Sequence, residues 1–378
     1  MKRPTLVVLA LSLLGASPAL AQADSAAFVI RLGKDTVAVE RYVRTADRLV
    51  VEAVQRSPVT TLHRFEYTLS PEGRVTAAEL TTRRPGAREP GMRRSFRFAG
   101  DSAVVETTSE GSASRTQTVA APAAIPMGGP FYTPYQLAVM HAVAGGTPKT
   151  EVALLAGTNV VRIPVERVGT DSVTLTNQFG EPMRAHIDAQ GRLLHLHTPA
   201  FTTLERVASL DLAGLAAEFA RRDENGRGLG VLSPRHTTRT GLGGASLWLD
   251  YSRPAMRGRP IWGALVPFGA VWRTGANDAA HFATDRTVQL GELTLEPGTY
   301  TLFLQPAAER WTLIVNRQTG ISGLERDAAQ DVGSTALTTE ALTQPAELFT
   351  IEILGSGADA RLAFAWDRTR ASVPIAVR

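Results

Sequence analysis

The sequence predicts a mainly β protein in two parts: an N-terminal curved antiparallel sheet with one helix, then a C-terminal β-sandwich or jelly roll. Three observations carry this. Short apolar or alternating runs broken by turn residues recur from Phe28 to about Val207, and again from Ala245 onward. Polar, glycine-rich text at Asp223–Gly230 and Gly241–Gly244 separates the two series. Trp248, Trp262, Trp272, Trp311 and Trp366, the five tryptophans of the chain, all lie in the second series, so the two parts have different cores. A length of 378 residues agrees with two domains.

In chain order, Lys2 and Arg3, an apolar run from Leu6 to Leu14, Pro18 and Ala19-Leu20-Ala21 predict a signal peptide over 1–21, with the mature chain starting near Gln22. The run is shorter than the roughly 20 apolar residues a membrane span takes. Residues 22–222 form the first domain. Its strands include Thr36–Arg44, Arg48–Val54 and Thr60–Leu69, where His63, Phe65, Tyr67 and Leu69 share one face. Gly33-Lys34-Asp35, Pro71-Glu72-Gly73, Gly100-Asp101 and Glu110-Gly111 supply turns. Thr133 as N-cap and Pro134 at the first position open a helix near 134–144 that stops at Gly145-Gly146. Asp211–Arg222 reads as a short amphipathic helix, and 223–244 as the linker. Gly226, Gly228 and Gly230 neither follow a strand nor open a helix, which rejects a dinucleotide reading. The second domain, 245–378, is expected to hold strands at Ala245–Tyr251, His281–Thr284, Thr299–Gln305, Trp311–Asn316, Leu348–Leu354, Arg361–Asp367 and Ser372–Val377.

Composition excludes several classes. With no cysteine there is no disulfide, thiolate nucleophile, Cys-based metal site or lipoprotein anchor. Without Lys2 and Arg3 the 40 basic residues become 38 against 36 acidic ones, a balance that points to no nucleic acid. The cluster Arg83, Arg84, Arg88, Arg93, Arg94 and Arg97, interrupted by Pro85-Gly86 and Pro90-Gly91, reads as a solvated hairpin loop. No zinc-protease helix, P-loop, paired-carboxylate or nucleophile-elbow signature occurs, and no cofactor is assigned.

The phrases YSRP (Tyr251–Pro254), IWGALVPFGAVWRTGAN (Ile261–Asn277) and LEPGTYTLF (Leu295–Phe303) carry a resemblance, joined by the Asn316 segment after Trp311 and the terminal AFAWDRTRASVPIAV. Over about 245–378 the chain resembles domain-of-unknown-function family 2911. The resemblance implies an exported bacterial β-domain with no established activity.

Read physically, Tyr251, Ser252, Arg253, Trp272, Arg273, Thr274 and Asn277 fall in two loop-like segments, with Arg257 and Arg259 nearby. An Arg fork suits carboxylate or phosphate, and a Trp face suits a sugar or aromatic ring, so these seven residues are the candidate ligand site. Packing of the aromatic rings and bonding of the arginines to backbone carbonyls is the competing account. His281 beside Asp278 has general-base composition but no nucleophile elbow, and it departs from the small hydroxyl residue usual in the family, so no catalytic residue is assigned. His195-x-His197 puts two imidazoles on one strand face, and His186 joins them or not according to the register across Asp188–Gly191. Three exposed strand histidines, with no metal, is the expectation. The reading that follows is an exported periplasmic or extracellular protein with no transmembrane segment. It is expected to be a non-catalytic binding module for a small ligand, glycan or envelope protein, the alternative being an exported hydrolase with a shallow site on the sandwich loops.

Overall fold

A computed structural model describes residues 24–378. The expected signal peptide and the mature start at Gln22 lie outside the described residues.

The first part is one sheet of fifteen strands: β1 (Asp24–Leu32), β2 (Asp35–Arg44), β3 (Arg48–Gln55), β4 (Thr61–Leu69), β5 (Val75–Arg83), β6 (Met92–Ala99), β7 (Ser102–Ser109), β8 (Arg115–Ala120), β9 (Ile125–Met127), β10 (Lys149–Ala156), β11 (Asn159–Val168), β12 (Ser172–Thr176), β13 (Pro182–Ile187), β14 (Leu193–His197) and β15 (Thr202–Val207). Hairpins run outward from β1 to β8 on one side and from β15 to β10 on the other, β1 pairs with β15, and β9 adds parallel to β10. The sheet curls until its far end meets β4 and β5. Tyr67 Oη donates to Pro126 O at 3.0 Å, and Gly128 lies against Leu80.

The expected helix is α1 (Thr133–Ala144), and it is enclosed by the sheet rather than laid on it. Tyr135, Ala138, Val139 and Ala142 join Phe28, Tyr42, Phe65, Tyr67 and Phe96 in one core. Thr133 is not its N-cap. The cap position is Tyr132, whose side chain makes no cap, and the free amides at the helix start are taken from outside. Glu40 of β2 accepts from Tyr132 N at 2.7 Å and Thr133 N at 2.9 Å, and from the Thr133 hydroxyl. On the convex side, α2 (Leu212–Glu224), N-capped by Asp211, packs Ala216 and Phe219 onto Val39 and Val54.

The second part has nine strands: β16 (Arg235–Leu242), β17 (Ala245–Ser252), β18 (Ala280–Thr284), β19 (Val288–Leu290), β20 (Leu293–Leu295), β21 (Gly298–Gln305), β22 (Trp311–Asn316), β23 (Asp331–Leu354) and β24 (Arg361–Val377). Residues 235–242, expected inside the linker, are strand β16, which pairs along its whole length with β17. The strand order is β16-β17-β18-β21-β22-β23-β24-β19-β20. Bulges let the long β23 run from the first layer into the second, so one connected sheet makes a sandwich. Its core joins Leu249, Phe282 and Leu302 of one layer to Ile351, Phe364 and Val373 of the other. No helix among the described residues is long and apolar enough to cross a membrane.

Candidate functional site

The two segments expected to form the ligand site do meet, but mostly as interior structure. Tyr251 is fully buried: its hydroxyl donates to Ile351 O at 3.1 Å and accepts from Ile351 N at 2.9 Å, joining the two layers. Burial raises its pKa, and no face is left for a ligand. Ser252 is buried beside Gly275, where an added Cβ would come 3.0 Å from Ser252 O. Arg253 reaches β23, with Nε 3.2 Å from Phe349 O and Nη2 2.8 Å from Thr350 Oγ1. Trp272 stacks on Trp366 at 5.6 Å between ring centroids and 15° between planes, within a cluster that also holds Trp262, Trp311 and Phe349. Thr274 is fully buried at φ 53°, a left-handed conformation uncommon for a β-branched residue. Asn277 is exposed, and its carbonyl accepts from Gly323 N at 3.3 Å.

Arg273 does not face the YSRP segment. Its methylene stem lies over Gly323, and its guanidinium makes no hydrogen bond among the described residues. Arg257 and Arg259 are buried between the two parts. Arg257 Nη1 bonds Asp35 at 2.6 Å, and Arg259 donates to Ala255 O at 2.6 Å and Ala200 O at 3.2 Å. The corner is therefore a scaffold whose product is the loop 317–330.

That loop is held by the corner and closes half of the sandwich's outer face. Ala279 N donates to Ile321 O, Thr301 Oγ1 to Gln318 O, and Asn316 Nδ2 to Asp327 O at 2.8 Å, while Arg326 stands over Phe303. The other half stays open as a shallow cleft of about 640 Å³. Across its floor β16, β17, β18 and β21 bring Arg239, Trp248, Ala283 and Thr299 into one row. Trp248 is the one tryptophan outside the aromatic cluster, and no ring or cation among the described residues covers it. Sequence reasoning missed this face. The signal was present: in Ser246-Leu247-Trp248-Leu249-Asp250-Tyr251 the leucines and Tyr251 alternate inward, which sends Trp248 outward with Ser246 and Asp250.

The neighbouring row holds the ionisable groups. Asp250 takes a two-pronged ion pair from Arg235, 2.8 Å on each arm, and accepts from Thr237 at 3.0 Å. Burial pushes the Asp250 carboxyl up, but Arg235 outweighs it and holds the group below its ordinary range. His281, directly opposite Asp250, is pushed down by burial and then by Arg235. Its Nε2 accepts from Gly320 N at 3.2 Å, which uses the lone pair a general base needs.

Among the described residues no group of three His, Asp or Glu is placed to hold a metal ion. His186 and His195 pair directly, because a bulge at Leu194 restores their shared face even though Asp188 N bonds Arg192 O. The turn therefore has Asp188 opposite Arg192, and Ile187 pairs with Leu193 rather than Arg192, yet His186 still shares a face with His195. In the arginine-rich hairpin, Arg93 pairs with Glu79 and Arg97 with Glu106, whereas Arg94 bonds Thr107 at the concave side.

No curated protein matches the chain. A DUF1089 family protein from Pseudomonas aeruginosa shows 8% identity and a TM-score of 0.30, over 42% of this chain and 89% of that one. A beta-barrel-like protein of domain of unknown function DUF1849 from Brucella abortus shows 11% identity and a TM-score of 0.33, over 48% and 94%. The C-terminal region, residues 233–375, matches the family model described as "Protein of unknown function (DUF2911)".

Proposed function

We propose that this is an exported, non-catalytic binding protein whose C-terminal sandwich holds a glycan on the open sheet face around Trp248. The observation that carries the reading is Trp248 itself. A half-buried indole without a stacking partner, flanked by Ala283, Thr299, Ser246 and Gly241, offers a flat apolar face amid small residues and hydrogen-bonding groups. Sugar rings present the same mixture of apolar face and polar rim. In the row beside the face Asp250 is engaged by Arg235 and His281 by Gly320, and Asp285, the one acid lining the cleft, stands there without a second acid or a base, which favours binding over hydrolysis. Export rests on the N-terminal sequence pattern alone.

The test is affinity electrophoresis and calorimetry of the mature chain against a panel of soluble neutral and acidic polysaccharides. At least one should bind in the wild type, and Trp248→Ala should weaken that binding at least tenfold while leaving the melting temperature nearly unchanged. Unaltered binding in Trp248→Ala would sink the reading, as would turnover of any panel member.

A further inference from the structure

We infer that the glycan on this face is an acidic one, with a sugar carboxylate paired to Arg239 while its ring stacks on Trp248; this deepens the binding reading above and rests on it. The chemistry follows from which charges near the cleft are already committed.

Arg235 is committed to Asp250 and to Ala279 O. Arg239, on the same face of the same strand, is exposed and makes no ion pair or side-chain hydrogen bond among the described residues. Its position is set by register: Arg239 of β16 is directly opposite Trp248 of β17. Directly opposed side chains start roughly 5 Å apart at Cβ, about the width of a pyranose ring. The guanidinium does not use that closeness to cover the indole, since the described cation–π contacts fall on Phe28, Tyr42, Phe219 and Phe303. A planar five-donor fork thus stands beside an open aromatic face, and that fork matches a carboxylate in two-point geometry.

Asp285 is the other charged residue in the cleft, and it orients the sugar. It lies two strands in from Arg239, just past the end of β18, and its carboxylate already accepts Ser246 N at 2.8 Å. An anionic substituent is repelled from that end and drawn to the Arg239 end, while sugar hydroxyls donate to the free carboxylate oxygen. A neutral glycan leaves Arg239 unused, and a sugar carrying charge all round meets Asp285. A uronic acid, with one carboxylate per ring, fits both ends.

The experiment uses oligogalacturonate and its methyl ester, which share a backbone and differ in charge, with dextran sulfate as a polyanion of different chemistry. Wild-type protein should bind the acid at least tenfold more tightly than the ester, with the preference shrinking as salt is raised. Arg239→Gln should bring the ratio near one while ester binding persists, and Arg239→Lys should fall between. Equal binding of acid and ester by the wild type, or a preference that survives in Arg239→Gln, overturns the acidic assignment. Dextran sulfate binding as tightly as the uronate overturns it too, since attraction to any polyanion then suffices. In each of those cases loss of ester binding in Trp248→Ala keeps the glycan reading standing. If neither acid nor ester binds, the uronate assignment is overturned outright, and the wider panel alone decides the glycan reading.

Discussion

Burial moves two titratable groups in opposite directions on one row of the N-terminal sheet. Glu40 pairs with Ala53 and Ala53 with His63, and all three lie on the core side, where His63 meets the edge of Phe131. Loss of solvation raises the Glu40 carboxyl from 4.5 to about 7, against the lowering effect of its bonds from Thr133 and Tyr132. Burial alone takes His63 from 6.5 to about 4, and neither of its ring nitrogens has a partner among the described residues. Stability from Glu40 is complete below pH 4.5 and is lost as pH rises through about 7. Stability from His63 is complete above pH 6.5 and is lost as pH falls through about 4. Between about 4.5 and 6.5 the slopes oppose. Over that window the two contributions should largely cancel, so removing either group should add a pH slope to urea unfolding relative to the wild type. Relative to the wild type, Glu40→Gln should lose roughly 3 kcal/mol as pH falls, and His63→Phe a similar amount as pH rises, since each tenfold change in proton affinity is worth about 1.4 kcal/mol. Profiles in both variants that run parallel to the wild type would refute the assignment. His63 was legible by alternation with Phe65 and Tyr67. Glu40 was legible too, as a charged residue in phase with Ala38 and Tyr42, but its partner lies 93 residues away.

At the scale of elements, the arginines of the corner differ in what they hold. Arg253 ties the end of β17 to β23 through a backbone carbonyl and Thr350. Arg273 supports the loop 317–330 through its stem alone. Arg253→Ala should thus cost about 1–3 kcal/mol, because it leaves part-buried acceptors unpaired. Arg273→Ala should cost under about 1 kcal/mol and act on the loop, seen as faster hydrogen exchange at Gly320 and Gly323. Thermal or urea unfolding of the two variants checks the order, and a larger loss in Arg273→Ala would contradict it. The meeting of these segments was readable from Pro254, Gly275 and Asn277. What they are for was not, since a turn sequence does not say which distant loop rests on it.

For the whole molecule, the two parts are joined by more than a linker. Lys34 N donates to Arg257 O at 2.9 Å, the Arg257 guanidinium pairs with Asp35, and Arg259 bonds Ala200 O. In the last turn of α2 Asp223 accepts from Thr60 N, and beyond the helix Gly230 O accepts from Ser57. Limited proteolysis should cut in the exposed stretch 224–227 and spare 235–242, whose backbone is paired in β16. The nicked halves should co-elute on gel filtration, the tryptophan-containing fragment beginning before Arg235. Arg257→Ala removes a charged bond and strands Asp35, costing about 2 kcal/mol, and should let the nicked halves separate. Halves that part without that substitution would show the interface to be weaker than its contacts imply.

By itself the sequence determined the mainly β class, both helices to within two residues, the division into two cores and the family resemblance of the second. These depend on periodicity, turn chemistry and ordered motifs, all local in the chain. Short strands such as β19 and β20, with three residues each, gave too little pattern to read. Tertiary structure alone decided that α1 is enclosed, that β16 belongs to the sandwich, that Arg253 and Trp272 are taken up by interior contacts, and that nothing covers the face around Trp248. Aromatic and arginine side chains suit a buried contact and a ligand equally well. Only the register of neighbouring strands and the path of the loop 317–330 distinguish the two, because burial is set by what packs above a residue and not by the residue itself.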